Sequence, residues 1–235
     1  LPTTIYSLAM TQTVLLINPN TSEATTAMMH RLARKALPQD IALRSATAQR
    51  GTTMITSAEE LATSVEEVLE IGQRLAGEVD AIVIAAFGNP GLQQLRAAVA
   101  LPVVGIGEAA MREAALGGRR FGVATTTPEL EASIAASADA LGLSSLFAGS
   151  RIPVGDPLEL AGQPALQDDS LAQAVHDCMA LDGAQAVVIG GGPLAESAER
   201  IAPRFSVPVI SPVAAAMRDI AALLRMQRRS TTHSG

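Results

Sequence analysis

Four short segments of this 235-residue chain carry the side chains that could do chemistry. Two are rich in hydroxyls and amides: Asn18-Pro19-Asn20-Thr21-Ser22 and Thr125-Thr126-Thr127-Pro128. Two are glycine-rich and follow apolar runs: Ala86-Phe87-Gly88-Asn89-Pro90-Gly91 and Gly190-Gly191-Gly192-Pro193. Asparagine and threonine side chains, with the free amides of a helix start, can hold a carboxylate or an imide carbonyl without a fixed positive charge. The other reading of Thr21, Ser22 and Thr127 is that they are helix N-caps. A glycine-rich break at the carboxyl end of a buried parallel strand lets a ligand approach the backbone closely. The four segments also pair: Thr126 follows Asn20 by 106 positions, and Gly191 follows Ala86 by 105.

That spacing is a property of the whole chain. Candidate strands begin near Val14, Ile41, Ala81 and Pro102, and again near Phe121, Ser145, Ala186 and Val207. The second four repeat the first at offsets of 104 to 107. Strands alternating with helical patterns imply parallel sheets covered on both faces. The expected fold is therefore α/β: two doubly wound parallel-sheet subdomains related by a pseudo-twofold, with the active-site cleft between them. The first subdomain is expected over residues 10–107, with part of the C-terminal segment packed on it, and the second over 108–226. Ser57-Ala58-Glu59-Glu60 reads as a capping box opening a helix. Pro128 and Pro212 each stand at a first helical position behind a hydroxyl, and Gly117-Gly118 should end a helix that starts near Glu108.

Composition sets the outer bounds. Apolar residues are 48% and charged residues 17%, which excludes a disordered chain. Aromatics are only 2%, so the core must be aliphatic, and a base-stacking surface is excluded. A net charge of −6 argues equally against nucleic acid as a partner. A single cysteine, Cys178, rules out an intramolecular disulfide and a multi-cysteine zinc site, and it fits a cytoplasmic location. No apolar run approaches the ~18–20 residues of a membrane span, so no membrane role is expected. Residues 1–9 hold no charge and precede Met10; they read as a leader or an appended remnant. Residues 227–235 read as a flexible polar tail, its basic cluster solvated.

The motifs LLINPNTS, AAFGNPGL, PVVGIGEAA, FGVATTTPEL and PVISPVAAA occur in this order between Val14 and about Leu224. Together they resemble the aspartate/glutamate/hydantoin racemase superfamily, most closely its hydantoin and allantoin racemases. The resemblance implies a cofactor-independent enzyme, a homo-oligomer, that moves a proton at a carbon next to a carbonyl of a small cyclic imide or ureide. It places the two acid/base cysteines of the family at Ala86 and Gly191. It assigns ligand contacts to Asn20, Thr21, Phe87, Gly88, Thr125, Thr126, Gly192 and Pro193. Two thiols on opposite walls suit such a reaction, because one can be thiolate while the other is protonated. Neither wall of this chain carries one. Asn89, where relatives often have an aspartate, and Ser211 are not general bases near neutral pH. Cys178 lies in a helical pattern and reads as a buried helix cysteine, without a Cys–His pair in His176. His30 and His233 suggest no site. Glu108 also matches a family segment, but as a helix-start acid it can instead complement the dipole. Without a His/Asp/Glu cluster no metal is expected. Three explanations stand: a one-thiol enzyme with its cysteine replaced at position 86, a racemase relative inactivated at both walls, or a small-ligand binding module.

Overall fold

In the computed structural model, which describes residues 11–232, the chain lays down two sheets of identical strand order. The first half runs β1 (Gln12–Asn18), α1 (Glu23–Ala36), β2 (Ile41–Thr47), α2 (Ala58–Leu75), β3 (Ala81–Ile84), α3 (Leu92–Ala98), β4 (Val103–Gly105) and α4 (Ile106–Ala114). The second runs β5 (Phe121–Ala124), α5 (Glu131–Ala140), β6 (Phe147–Arg151), α6 (Pro157–Ala161), α7 (Pro164–Ala180), β7 (Ala186–Ile189), α8 (Ala195–Ile201), β8 (Val209–Ile210) and α9 (Pro212–Thr232). The orders are β2-β1-β3-β4 and β6-β5-β7-β8, every pairing parallel. The sequence-based reading of two matching four-stranded units holds, each strand starting within two residues of its expected position.

The central strands are apolar throughout because each is covered on both faces. Alternate residues serve different cores. Val14, Leu16, Ala81 and Val83 face the middle of the molecule, where they meet α1, α4 and α9 together with Phe121, Val123, Ala186 and Val188 of the second sheet. Leu15, Ile17, Ile82 and Ile84 point outward into a separate layer under α2 and α3. Val187 and Ile189 do the same under α7 and α8. One continuous apolar layer thus joins the two halves, with an outer layer on either side.

Helix ends follow local chemistry. Ser57 and Glu60 form the expected capping box at α2, and Ser22 accepts from the Thr25 amide at α1. After α4, Gly117 and Gly118 adopt φ of +70° and +77°, a left-handed turn that glycine enters without strain. Thr127 and Ser211 do not cap with their side chains. Pro128 opens a short 3-10 turn ahead of α5 rather than the helix itself. The C-terminal segment, expected as a flexible tail from residue 227, is helical through Thr232. No Gly or Pro interrupts it, Gln227, Arg228 and Arg229 are good helix formers, and Arg228 pairs with Asp40 at 3.1 Å. Met10 and the segment before it, like His233, lie outside the described residues.

Candidate active site

In each sheet the order reverses between the first and third strands of its half, so the crevice for a ligand opens beyond the carboxyl ends of β1 and β3 and of β5 and β7. Register sets those ends level. The Ala85 amide donates to Ile17 O at 2.8 Å, and in the twin position the Gly190 amide donates to Ala124 O at 2.8 Å. The four segments singled out in the sequence are brought together here. Asn20, Ala86, Phe87, Gly88, Thr126, Gly191, Gly192 and Pro193 all line a single cleft between the halves. The space between its walls, open solvent at the mouth included, is about 520 Å³.

The polar floor is held from below. Asn18, fully buried at the end of β1, donates from Nδ2 to Asn20 Oδ1 (2.8 Å), Thr26 Oγ1 (2.9 Å) and Ser22 O (3.2 Å). The Ser22 amide also donates to Asn20 Oδ1 at 3.0 Å. The oxygen of the Asn20 amide is therefore committed to the protein, and the nitrogen is the end with no such partner. From the other half comes Thr126, 1% exposed, whose Oγ1 has no hydrogen-bond partner in the protein. A buried hydroxyl without a partner costs stability, and a ligand in the cleft would satisfy it.

Thr125 and Thr21 do other work. The Thr125 hydroxyl donates to Gly190 O at 2.7 Å and ties the end of β5 to that of β7. The Thr21 amide donates to Thr52 O at 2.9 Å, anchoring the loop after β2. Neither side chain lines the cleft.

On the two walls, Ala86 and Gly191 sit at equivalent turns. A Cβ added at Gly191 would approach only Leu194, at 3.2 Å from Cγ, and the backbone there is not left-handed. The glycines beside it are closed: a Cβ on Gly190 would fall 2.8 Å from Val123 Cγ1, and one on Gly192 2.9 Å from Ala85 O. Of the three glycines of that turn, Gly191 is thus the one where an added Cβ meets only a movable side chain at tight contact distance. Phe87 is buried and its ring lies against Gly190 of the opposite half.

Among the described residues no ionisable side chain lines the cleft. Asn89 turns away at φ +49°, and its Oδ1 accepts from the amides of Gly107 (3.0 Å) and Glu108 (3.3 Å), so it caps α4 from outside. Glu108 is held between Arg96 and Arg112, each at 3.1 Å. Cys178 is buried in α7 against Gly122, and burial pushes its thiol up to about 12. His176 is exposed beside Asp177, and His30 bonds Ser45. Among the described residues no three His, Cys, Asp or Glu side chains gather as metal ligands.

Sequence reasoning missed the mouth. Met54 and Ile55 reach it from the loop after β2, Leu61 from the first turn of α2, and Leu130 from the turn before α5. An aliphatic pair inside the polar run RGTTMITS was the available signal. Leu61 fits the helical apolar stripe of α2, and its tip lies directly over Gly88. Asn18 was also legible, as a polar residue closing an otherwise apolar strand.

Comparison with known proteins follows from this geometry. The Asp/Glu/Hydantoin racemase family model matches residues 14–220. A hydantoin racemase of Rhizobium meliloti is 32% identical over 210 residues, spanning 89% of this chain and 87% of the relative. A hydantoin racemase of Pseudomonas sp. (strain NS671) is 30% identical over 203 residues, 86% of this chain and 82% of the relative. Among solved structures, an allantoin racemase from Klebsiella pneumoniae superposes with a TM-score of 0.87 at 29% identity, covering 92% of this chain and 89% of that one.

Proposed function

The chain belongs to the Asp/Glu/hydantoin racemase family, and from that premise we propose that it is a cofactor-independent, isomerase-type protein whose cleft takes a small cyclic imide or ureide. The reaction of that site is proton transfer at a ring carbon next to a carbonyl, and it is impaired in this chain because the two walls carry Ala86 and Gly191. The observation that supports this reading is the meeting of neutral donors and small residues: Asn20, Thr126, Ala86 and Gly191, from equivalent strand ends of the two halves, line one cleft.

The division of labour follows from bond chemistry. The ring carbonyls of a hydantoin or allantoin accept hydrogen bonds, which Asn20 Nδ2, the Thr126 hydroxyl and the turn amides near Gly88 and Gly192 can donate. When the adjacent carbon loses its proton, charge moves to a carbonyl oxygen as an enolate, and those same donors stabilise it. What the site lacks is the group that takes the proton. An alanine methyl and a glycine hydrogen titrate at no pH, and water held between apolar walls is a weak base. A thiol at position 86 would sit beside the reacting carbon, and a second at 191 would complete a two-base arrangement across the ring.

A second reading has its own support. A cleft with no ionisable lining residue among those described suits a binding module that keeps the ligand intact. The two separate on one test: α-proton exchange of 5-substituted hydantoins in deuterated buffer by this chain, by Ala86→Cys, and by Ala86→Cys with Gly191→Cys. Exchange restored by the first variant and racemisation by the second support the isomerase reading. Tight binding with no exchange in any of the three supports the binder.

A further inference from the structure

The two hydrogen-bonding side chains of the cleft, Asn20 and Thr126, are unequally supported from beneath. Asn20 stands on Asn18, the last residue of β1. At an offset of 106 the residue that repeats Asn18 is Ala124, the last of β5. Ala124 has only a methyl, which packs in the outer apolar layer under α7 and α8. Thr126 thus has no amide below it, and its hydroxyl is without a partner among the described residues. It can turn toward a ligand as donor or as acceptor. Asn20 has no such freedom.

The reason lies in backbone groups whose polarity cannot change. Ser22 O can only accept, and it takes Asn18 Nδ2 at 3.2 Å. The Asn20 backbone amide can only donate, and it gives to Asn18 Oδ1 at 3.2 Å. These two contacts decide which end of the Asn18 amide is nitrogen. That nitrogen then donates to Asn20 Oδ1 at 2.8 Å and to Thr26 Oγ1 at 2.9 Å. With the Ser22 amide at 3.0 Å, two donors face the Asn20 oxygen. Turning the Asn20 amide over would set its own N–H groups against both donors and leave them buried without an acceptor.

We infer that Asn18 is a positioning residue that sets the polarity of the cleft floor. It is fully buried and does not line the cleft. By holding the Asn20 oxygen it keeps Asn20 Nδ2 toward the ligand, so this point of the site takes a hydrogen-bond acceptor, a ring carbonyl. The inference rests on the ring-binding reading above. The floor then offers one fixed donor and one adaptable hydroxyl. A ring has to present a carbonyl to Asn20, while the group it turns to Thr126 can be a carbonyl or an N–H. The backbone of Asn18 has a separate task, since its carbonyl accepts from the Ala48 amide at 3.0 Å and fastens the loop after β2. A side-chain substitution leaves that bond in place.

The test is calorimetric titration of hydantoin into the full chain, Asn18→Leu, Asn20→Ala and the double variant. Leucine is close to asparagine in shape but cannot donate. Each single variant is expected to bind about tenfold more weakly than the parent. The double variant should bind within about twofold of Asn20→Ala, because Asn18 acts only through Asn20. Losses that multiply to about a hundredfold in the double variant would overturn the positioning role, as would parent-like binding by Asn18→Leu. The parent alone gives a second measurement that does not depend on the variants folding. In NMR spectra of its side-chain amides, hydantoin should shift the Asn20 Nδ2 protons, and the Asn18 Nδ2 protons should exchange slowly with deuterated solvent. Hydantoin bound with the Asn20 protons unmoved, or fast exchange at Asn18, would overturn the role and leave the cyclic-ureide reading standing. A parent chain that binds no hydantoin would overturn both.

Discussion

At the scale of single residues, Thr126 is where stability and binding pull apart. Its hydroxyl is buried without a partner, so Thr126→Val is expected to stabilise the free protein by about 1 kcal/mol, read as a higher melting temperature. The same change should weaken hydantoin binding several-fold, while Thr126→Ser keeps both properties close to the parent. The two glycines on the facing wall differ as sharply. Gly191→Ala should cost less than about 1 kcal/mol, since its new methyl meets only the movable Leu194 at 3.2 Å. Gly192→Ala should cost about 2–3 kcal/mol, because backbone oxygen of Ala85 lies 2.9 Å from the added carbon. Denaturant titration of both variants checks the contrast. Cys178, with its thiol held near 12 by burial, should resist alkylation in the native protein and react only after unfolding. These residue roles were unevenly legible in the sequence. The repeat offset found Asn20, Ala86, Thr126 and Gly191, because equivalent strand ends must face one cleft. It also flagged Thr125, whose hydroxyl instead closes the β5–β7 junction at Gly190 O. Adjacent threonines alternate in direction, and spacing alone does not reveal which one faces the ligand.

At the scale of elements, the loop between β2 and α2 lines the cleft with Met54 and Ile55, and one end of it is held by a single carboxylate. Glu60 accepts from the Thr56 amide and hydroxyl and from the Ser57 amide. Those bonds, the Thr56 amide foremost, hold its carboxyl below the ordinary value of 4.5. A lowered native value means that the unfolded chain binds the proton more readily. The stabilisation is therefore complete above the unfolded value and is lost as pH falls through the native one. Thermal melts of the parent and of Glu60→Gln are expected to differ at pH 7 and to converge in the acid range below about pH 4. A gap that persists unchanged at pH 3 would assign the role to packing instead. The strands and helices that frame this loop were readable, because apolar runs, alternation and the Ser57–Glu60 box are local signals. The loop's inward aliphatic pair was not, since Met54 and Ile55 are turned toward the cleft by bonds to Asn18, Thr21 and Glu67, all distant in sequence.

At the scale of the whole molecule, the two halves share one apolar layer, and α9 is central to it. This helix follows the last strand of the second sheet yet packs on α4, α1, β3 and β4 of the first half. Met217, Ile220 and Leu224 are fully buried there. The halves should consequently unfold as one unit, with fluorescence-independent probes such as far-ultraviolet circular dichroism and calorimetry giving coincident transitions. Met217→Ala, a cavity at that joint, should lower stability by about 2–5 kcal/mol without splitting the transition. The pseudo-twofold was plain from the strand offsets, whereas the crossing of α9 was only partly so, because a helix pattern shows that a face is buried and not against what. The most direct measurement is NMR of 5-substituted hydantoins in deuterated buffer with the parent chain and with Ala86→Cys. Deuterium is expected at the ring α-carbon with the variant at a rate far above that of the parent. Equal exchange by both proteins would place the proton-transfer group elsewhere and contradict it.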